Sequence, residues 1–518
     1  MGEDKEFLEG KKQSGRNAQR MNIYASKLVA ETVRTTLGPK GMDKMLVDEE
    51  GNVIVTNDGV TILKEIQIDH PVAKMIVEIA KTQEEEVGDG TTTAVILAGE
   101  LLKQAETLLD RKVHPTIVTK GYYLASEKAQ EILKRLSHKI NVNDESIIKK
   151  IGETAMTGKG AEDNKELLAK ILYESIKKVT VNKEINKEDI KIEKRDGGFV
   201  KDTELVNGIL LDKDKVHSSM PNNVENAVIA LIDTPLEIRT PDSDTRINIT
   251  SPEQIQGFMD VEEAMVKKMI DKIAESGANV VFCQKGIDEM AQHFLNKKGI
   301  LAVRRIKKSD MERLSKATNA TIVTDINSIT SSDLGRAGKV NVKRVHEDNM
   351  IYVQDCPNPR SISILVRGAT KHTVDEVARA MEDALGDMVA TLKTGTIVPG
   401  AGAIEVMISK ELNEYANTLK GREQLAVQAF SESLLIVPKT LAENAGLDPI
   451  DVMTALTSSK EKNAGINVFN GMVIDSKKEG VIEPTKIKSQ AISSASEVAM
   501  MILRIDDVIL SKEINTRE

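Results

Sequence analysis

The stretch Glu86-Val87-Gly88-Asp89-Gly90-Thr91-Thr92-Thr93-Ala94 runs directly into an apolar helical segment from Val95 through Leu102. Its two glycines permit a tight turn, so that successive backbone N–H groups and the three threonine hydroxyls converge on an anion at a helix start. A nucleotide phosphate suits such a loop. Asp89, between the glycines, is free to reach magnesium, which takes one or two carboxylates plus phosphate oxygens and keeps its waters. A Gly-Asp-Gly turn with threonine helix caps reads the same way without any ligand, so the rest of the chain has to decide.

A chain of 518 residues exceeds a single core, and two or three domains are expected. The net charge of −9, from many residues of both signs, offers no positive excess to hold a polyanion. Tryptophan is absent and only 3% of residues are aromatic, too few for base-stacking platforms. Nucleic acid is therefore not an expected partner. Cys283 and Cys356 are the only cysteines, which excludes a disulfide framework and suggests a reducing interior. Cys283, within Val-Val-Phe-Cys, reads as a core residue. The seven histidines are scattered without HExxH, against a histidine metal site. No apolar leader and no membrane-spanning run is read in the sequence, so no membrane and a cytoplasmic location are expected.

Periodicity predicts helices over Ala25 to Thr36, Val72 to Glu85, Ala94 to Asp110 and Ile117 to Leu136, with a short hairpin between Met45 and Gly59. After about residue 180, strand-like runs (Ala227 to Leu231, Val280 to Cys283, Thr321 to Thr324, Ile362 to Val366) alternate with helices. Helices return from Val374 to Leu456 and from Ser489 to Ile505. The expected class is multidomain, α and α/β, with one domain built from both ends of the chain and another inserted into it.

Further loops pair glycine with polar groups: Thr36-Leu-Gly-Pro-Lys-Gly-Met-Asp after a helix, Thr56-Asn-Asp-Gly with Asp58 in a turn, Met156-Thr-Gly-Lys-Gly offering Lys159, and Val398-Pro-Gly-Ala-Gly-Ala opening a helix. Asp383 falls on a helix. No GxxxxGK[ST] is present, which excludes a P-loop.

Taken in order, these segments closely resemble the group II chaperonins of the archaeal thermosome type. The resemblance also rests on Ser14-Gly-Arg-Asn-Ala-Gln-Arg-Met-Asn, Thr35 to Val47, Ala278-Asn-Val-Val-Phe-Cys-Gln-Lys-Gly-Ile-Asp, Ala464-Gly-Ile-Asn-Val-Phe and Met501-Ile-Leu-Arg-Ile-Asp-Asp-Val-Ile. It implies a helical equatorial ATPase domain (1–144 and 403–518), a small intermediate α/β hinge domain (145–212 and 366–402) and an inserted α/β apical domain (213–365), with a helical lid protrusion at about 240–263. It further implies ATP or ADP and Mg2+ as cofactors, non-native proteins as clients, and two stacked rings of eight subunits enclosing a chamber. It leaves open whether potassium assists and whether a paralogous subunit shares the ring.

Carried over position by position, the resemblance gives Leu37, Gly38 and Pro39 to the nucleotide pocket, Asp89 to magnesium, and Gly90, Thr91, Thr92 and Thr93 to the phosphates. Lys159 resembles the γ-phosphate sensor, Gly402 and Glu483 the ribose contacts, and Asn467 a contact near the base. Asp58 and Asp383 resemble the carboxylates that position and activate the attacking water. Phe258 and Met259 would sit at the lid tip. Gln292, His293 and Leu295 are candidates for a second client-facing surface. Met269 to Ile273 reads as an ordinary core face.

The chain also departs from the family pattern. Gly400-Ala401-Gly402 replaces three glycines, and an alanine at positive φ would add about 1 kcal/mol of strain. Glu382 precedes Asp383 in place of histidine and is expected to point away from it. Arg367-Gly-Ala-Thr replaces a Gly-Gly pair. The N-terminus is short of most of an apolar strand and the C-terminus of a Gly/Met-rich tail, regions expected to line the chamber floor or join neighbours, so the resemblance implies the fold more firmly than the ring. A chaperonin-fold scaffold or filament with little refolding activity is the alternative reading; a metabolic kinase lacks any small-substrate motif.

Overall fold

The computed structural model describes residues 12–47, 50–66, 68–180, 185–238, 252–357 and 359–509. Of the expected lid protrusion, about 240–263, residues 240–251 lie outside the described residues, as do the terminal segments 1–11 and 510–518. The chain divides into two compact units, one drawn from 1–170 and 379–518 and the other from 171–378.

The first unit is built on the Thr91–Asp110 helix. Its residues Ala94 to Ala98, Leu101, Leu102, Ala105 and Leu108 are all buried. A helix apolar on nearly every face must be central, and it packs against Gly15–Arg34, Pro71–Glu86, Glu423–Leu434 and Thr485–Leu503. Tyr122 from the Pro115–Leu136 helix closes this core, its hydroxyl donating to Leu101 O at 2.7 Å and its ring edge-on to Phe430 at 5.7 Å. The predicted hairpin is present, Lys44–Val47 pairing antiparallel with Val53–Thr56. Thr396–Pro399 pairs with Ile482–Pro484, which sets Val398 opposite Glu483. Lys12–Ser14 pairs with Asp507–Ile509.

Several helices begin earlier than periodicity indicates, two of them for clear local reasons. Gly15–Arg34 precedes Ala25 by ten residues because its first turns carry mostly polar side chains. Thr91–Asp110 takes in the three threonines because Gly90, in the left-handed region (φ 78°), caps it. The Val374 to Leu456 region is interrupted by the Thr396–Pro399 strand and divides into Lys371–Thr394, Ala403–Thr418, Glu423–Leu434, Ile436–Asn444 and Pro449–Ser458.

The second unit centres on a mixed seven-stranded sheet. Leu301–Val303, Val280–Cys283 and Asn223–Ile232 run parallel, while Gly335–Val345, Asp348–Gln354 and Gly208–Leu211 continue antiparallel. Cys283 is fully buried there. A smaller sheet joins Ile190–Asp196, Ile362–Gly368 and Glu204–Val206.

The Pro252–Glu275 helix belongs to this unit. Its second half buries Val266, Ile270 and Ile273, whereas Phe258 and Met259 remain 43% and 54% exposed and Val261 and Met265 are exposed as well. Met269 packs on the edge of the core.

The proposed second client surface is corrected. On the Glu289–Lys297 helix, Ala291, Gln292 and Leu295 face inward, and Gln292 Nε2 donates to Ile287 O at 2.8 Å. Of the three named residues only His293 is exposed. Leu295 lies one turn beyond Ala291 on the core face of an amphipathic helix, which is why it is not available to a client. Among the described residues no helix is long and apolar enough to cross a membrane.

Candidate functional site

Within the first unit a cavity of about 400 Å3 opens at the start of the Thr91–Asp110 helix. Leu37, Gly38, Pro39, Asp58, Asp89, Gly90, Thr91, Thr92, Thr93, Lys159, Asp383, Gly402, Asn467 and Glu483 all line it. A volume of this order suits a nucleotide-sized ligand.

The Asp89 loop is held from below. Gln83, buried near the end of the Pro71–Glu86 helix, donates from Nε2 to Asp89 O at 2.8 Å and to Ile487 O at 3.3 Å. Gly90 carries no side chain to cap the following helix, so the first-turn N–H groups stay available to an anion. A Cβ at Gly90 would lie 2.6 Å from Ile487 Cγ2. The loop is thus shaped by packing as well as by backbone freedom.

The Lys371–Thr394 helix reaches the same loop through a second close approach. A Cβ on Gly386 would stand 2.9 Å from Val87 O and 3.4 Å from the Gly88 Cα. Arg379, Asp383 and Asp387, spaced four apart, share this helical face. Arg379 Nη1 donates to Thr56 Oγ1 at 2.7 Å, and that hydroxyl accepts from Asp58 N at 3.1 Å. Asp383 accepts from Lys159 Nζ, which lies 4.0 Å from Asp89 Oδ1. Both partners of the Lys159–Asp383 pair remain about a quarter exposed, at 25% and 23%.

These contacts set the charges. Burial alone would lower the Lys159 pKa, but Asp383 and Asp89 outweigh it and the ammonium is held protonated. Burial pushes Asp383 up to about 7, Lys159 opposing this while Asp89 and Asp58 add to it. Asp387 is likewise raised well above the usual carboxylate range, by burial first and then by Asp89.

Three expected site groups already have local duties. Asp58 caps the Gly59–Glu65 helix, its Oδ2 accepting from Thr61 N at 2.9 Å and Thr61 Oγ1 at 2.6 Å. Asn467 Oδ1 accepts from Phe469 N at 3.0 Å, tightening its loop. Glu483 meets Lys488 at 2.7 Å, and Lys488 also meets the buried Glu405 at 2.9 Å. Burial raises the Glu483 pKa while Lys488 opposes it.

Magnesium and a phosphate chain fit these residues. Among the described residues no group of three or more His, Cys, Asp or Glu is arranged to hold a metal alone, and magnesium requires fewer protein ligands when phosphate supplies the others. The uncapped helix start offers N–H donors to phosphate oxygens, and the buried Asp387 Oδ1 without a hydrogen-bond partner offers an acceptor to a water on the metal.

A model of the TCP-1/cpn60 chaperonin family matches residues 29–513. The chain belongs to that family. The chaperonin is 56% identical over 508 residues to the thermosome subunit of Methanopyrus kandleri, covering 97% of this chain and 93% of that one. It is 56% identical over 506 residues to the thermosome subunit beta of Methanothermobacter thermautotrophicus, covering 97% and 94%. With the Methanocaldococcus jannaschii thermosome subunit it shares 53% over 515 residues, covering 98% and 95%. Its function is that of a group II chaperonin, and the scaffold or filament alternative is not favoured.

The family departures can now be located in this chaperonin. Ala401 does sit in the left-handed region, at φ 57°. Glu382 is exposed, away from the cavity side that Asp383 takes. Sequence reasoning missed Gln83, Arg379, Asp387, Glu405 and Lys488. A signal existed for Asp387, one turn beyond Asp383, and for Lys488, a charge amid the small and apolar residues of Thr485–Leu503.

Proposed function

We infer that this chaperonin hydrolyses ATP and couples the reaction to encapsulation of non-native proteins. The observation that carries the reading is the convergence of all the expected nucleotide residues, from segments scattered along the chain, on one cavity.

In this reading Gly90 and the first-turn N–H and hydroxyl groups of Thr91, Thr92 and Thr93 bind phosphate oxygens, and Leu37, Gly38, Pro39, Gly402, Asn467 and Glu483 form the ribose and base end. Magnesium, held at Asp89, supplies neutralisation of the triphosphate charge. Lys159, which donates to Asp383, is also placed to meet the γ-phosphate. Asp383 accepts a hydrogen bond from the attacking water and orients it, with Asp58 holding the opposite side. Positioning and charge neutralisation suffice for phosphoryl transfer.

Asp383 would belong to an intermediate domain (145–212 and 366–402) between an equatorial ATPase domain and an apical domain (213–365). Closure of that hinge completes the site and couples hydrolysis to movement. Phe258 and Met259 on the lid capture clients by apolar burial, worth about 25 cal/mol per Å2, with methionine supplying unselective contact. Two stacked rings, in the cytoplasm, form the chamber.

The test is Asp383→Ala. The variant should bind ATP but lose at least about 100-fold in turnover, and undiminished hydrolysis by the purified assembly rejects the assignment. Sedimentation with and without ATP should show a closed particle of one size; an open polymer contradicts the ring.

A further inference from the structure

Asp387 has no part in the mechanism above, although it lines the same cavity. It stands one helical turn beyond Asp383, and residues four apart project from one face about 6 Å apart along the axis. That face meets the Asp89 loop, because Gly386 lies against Val87 and Gly88. The Asp387 side chain is 3% exposed and its Oδ1 has no hydrogen-bond partner.

Burying a carboxylate without a partner costs several kcal/mol, so such groups are ordinarily hydrogen-bonded or paired with a cation. The nearby cation, Lys159, is already engaged by Asp383 and lies close to Asp89. The missing partner must therefore be a donor that comes with the ligand. Phosphate oxygens accept, so they offer nothing to the ionised carboxylate that a cation held at Asp89 favours. Magnesium held by one carboxylate and phosphate oxygens keeps several waters, and carboxylates commonly fix such ions through hydrogen bonds at one remove.

The geometry points to Asp387 as a positioning residue for the metal, accepting a hydrogen bond from a water on the magnesium ion held at Asp89. This rests on the nucleotide reading of the cavity. It explains why a carboxylate is retained at a buried position where an apolar side chain would cost nothing to desolvate.

The experiment uses the assembled protein with ADP and Mn2+ as the probe, following the free-ion electron paramagnetic resonance signal. Asp387→Asn should weaken Mn2+ binding about 10- to 100-fold, while ADP affinity measured in EDTA stays at the wild-type value. Asp387→Ser, which leaves room for a water in place of the carboxylate, should give the same loss and serves if the asparagine variant does not assemble. Unchanged Mn2+ affinity overturns the inference. So does an equal loss of ADP affinity without metal, which would mean a change of pocket shape. Loss of Mn2+ binding as complete as in Asp89→Asn would mean direct ligation and also overturns it. The nucleotide reading fails separately, if wild-type protein binds no ADP or if Asp89→Asn leaves Mn2+ binding intact.

Discussion

In the cavity, polar groups from many separate segments are locked together; along the first half of the Pro252–Glu275 helix, apolar groups from one continuous segment stand exposed. Lys159, Asp383, Asp89 and Gln83 each have a partner that fixes their place. Phe258, Met259 and Val261 are simply exposed. The contrast follows from the forces involved. Hydrogen bonds and charge pairs are short-ranged and directional, so a phosphate site has to be assembled by the tertiary fold. Apolar burial is non-directional and scales with area, so a surface for unselective capture needs only a helix flank that finds no core of its own.

The largest effect should come from taking the cation out of the locked region. Lys159→Met leaves Asp383 and Asp89 facing each other without it; turnover should fall at least about 100-fold, and denaturant titration should show a loss of about 3 kcal/mol. Wild-type stability in that variant would mean the pair is not held as described.

On the exposed region, Phe258→Ser with Met259→Ser should weaken capture of an unfolded client about tenfold or more, since burying one such side chain is worth about 1.5–3 kcal/mol. ATP turnover should not change. Ile270→Ala, on the buried half of the same helix, should instead destabilise the chain by about 2–5 kcal/mol in thermal or denaturant unfolding. If both variants behaved alike, the division of that helix into a free flank and a core flank would be wrong.

A smaller effect is pH-dependent. Asp383, raised to about 7 in the folded chain, holds a proton that the unfolded chain releases near pH 4. In the interval between these values the folded state binds more protons, so this group's contribution to stability falls as pH rises from about 4 to about 7, with a slope approaching 1.4 kcal/mol per pH unit. Asp383→Asn removes that slope. Without nucleotide, the variant's stability relative to wild type should climb across this interval and level off above it; a flat difference would show that Asp383 is ionised throughout.

The smallest effect concerns Ala401. With φ at 57°, glycine would relieve about 1 kcal/mol of backbone strain, offset in part by the entropy of a freer unfolded chain. Ala401→Gly should raise the thermal midpoint by about 1–2 °C and should not lower nucleotide affinity. A lower midpoint would place the strain elsewhere.

Much of the architecture was legible locally. The unbroken apolar run after Thr93 marked a central helix, the alternation after residue 180 marked a sheet-based insert, and the Gly-Asp-Gly-Thr cassette marked an anion-binding helix start, because periodicity and backbone freedom are properties of adjacent residues. The family resemblance that the cassette and its companion loops carry named residues that line the cavity. What stayed hidden depended on distance between segments. Asp387 reads as one more surface acid until Gly386 is seen pressed against Gly88, Gln83 as an ordinary helical glutamine until it holds Asp89 O, and Leu295 as a client contact until the sheet covers it. Sequence alone thus determined which residue types were on hand and which elements they form, through short-range sterics and the spacing of apolar side chains. Only the tertiary structure decided which charges become neighbours and which apolar faces stay uncovered, because burial and pairing depend on what the rest of the chain brings to each surface.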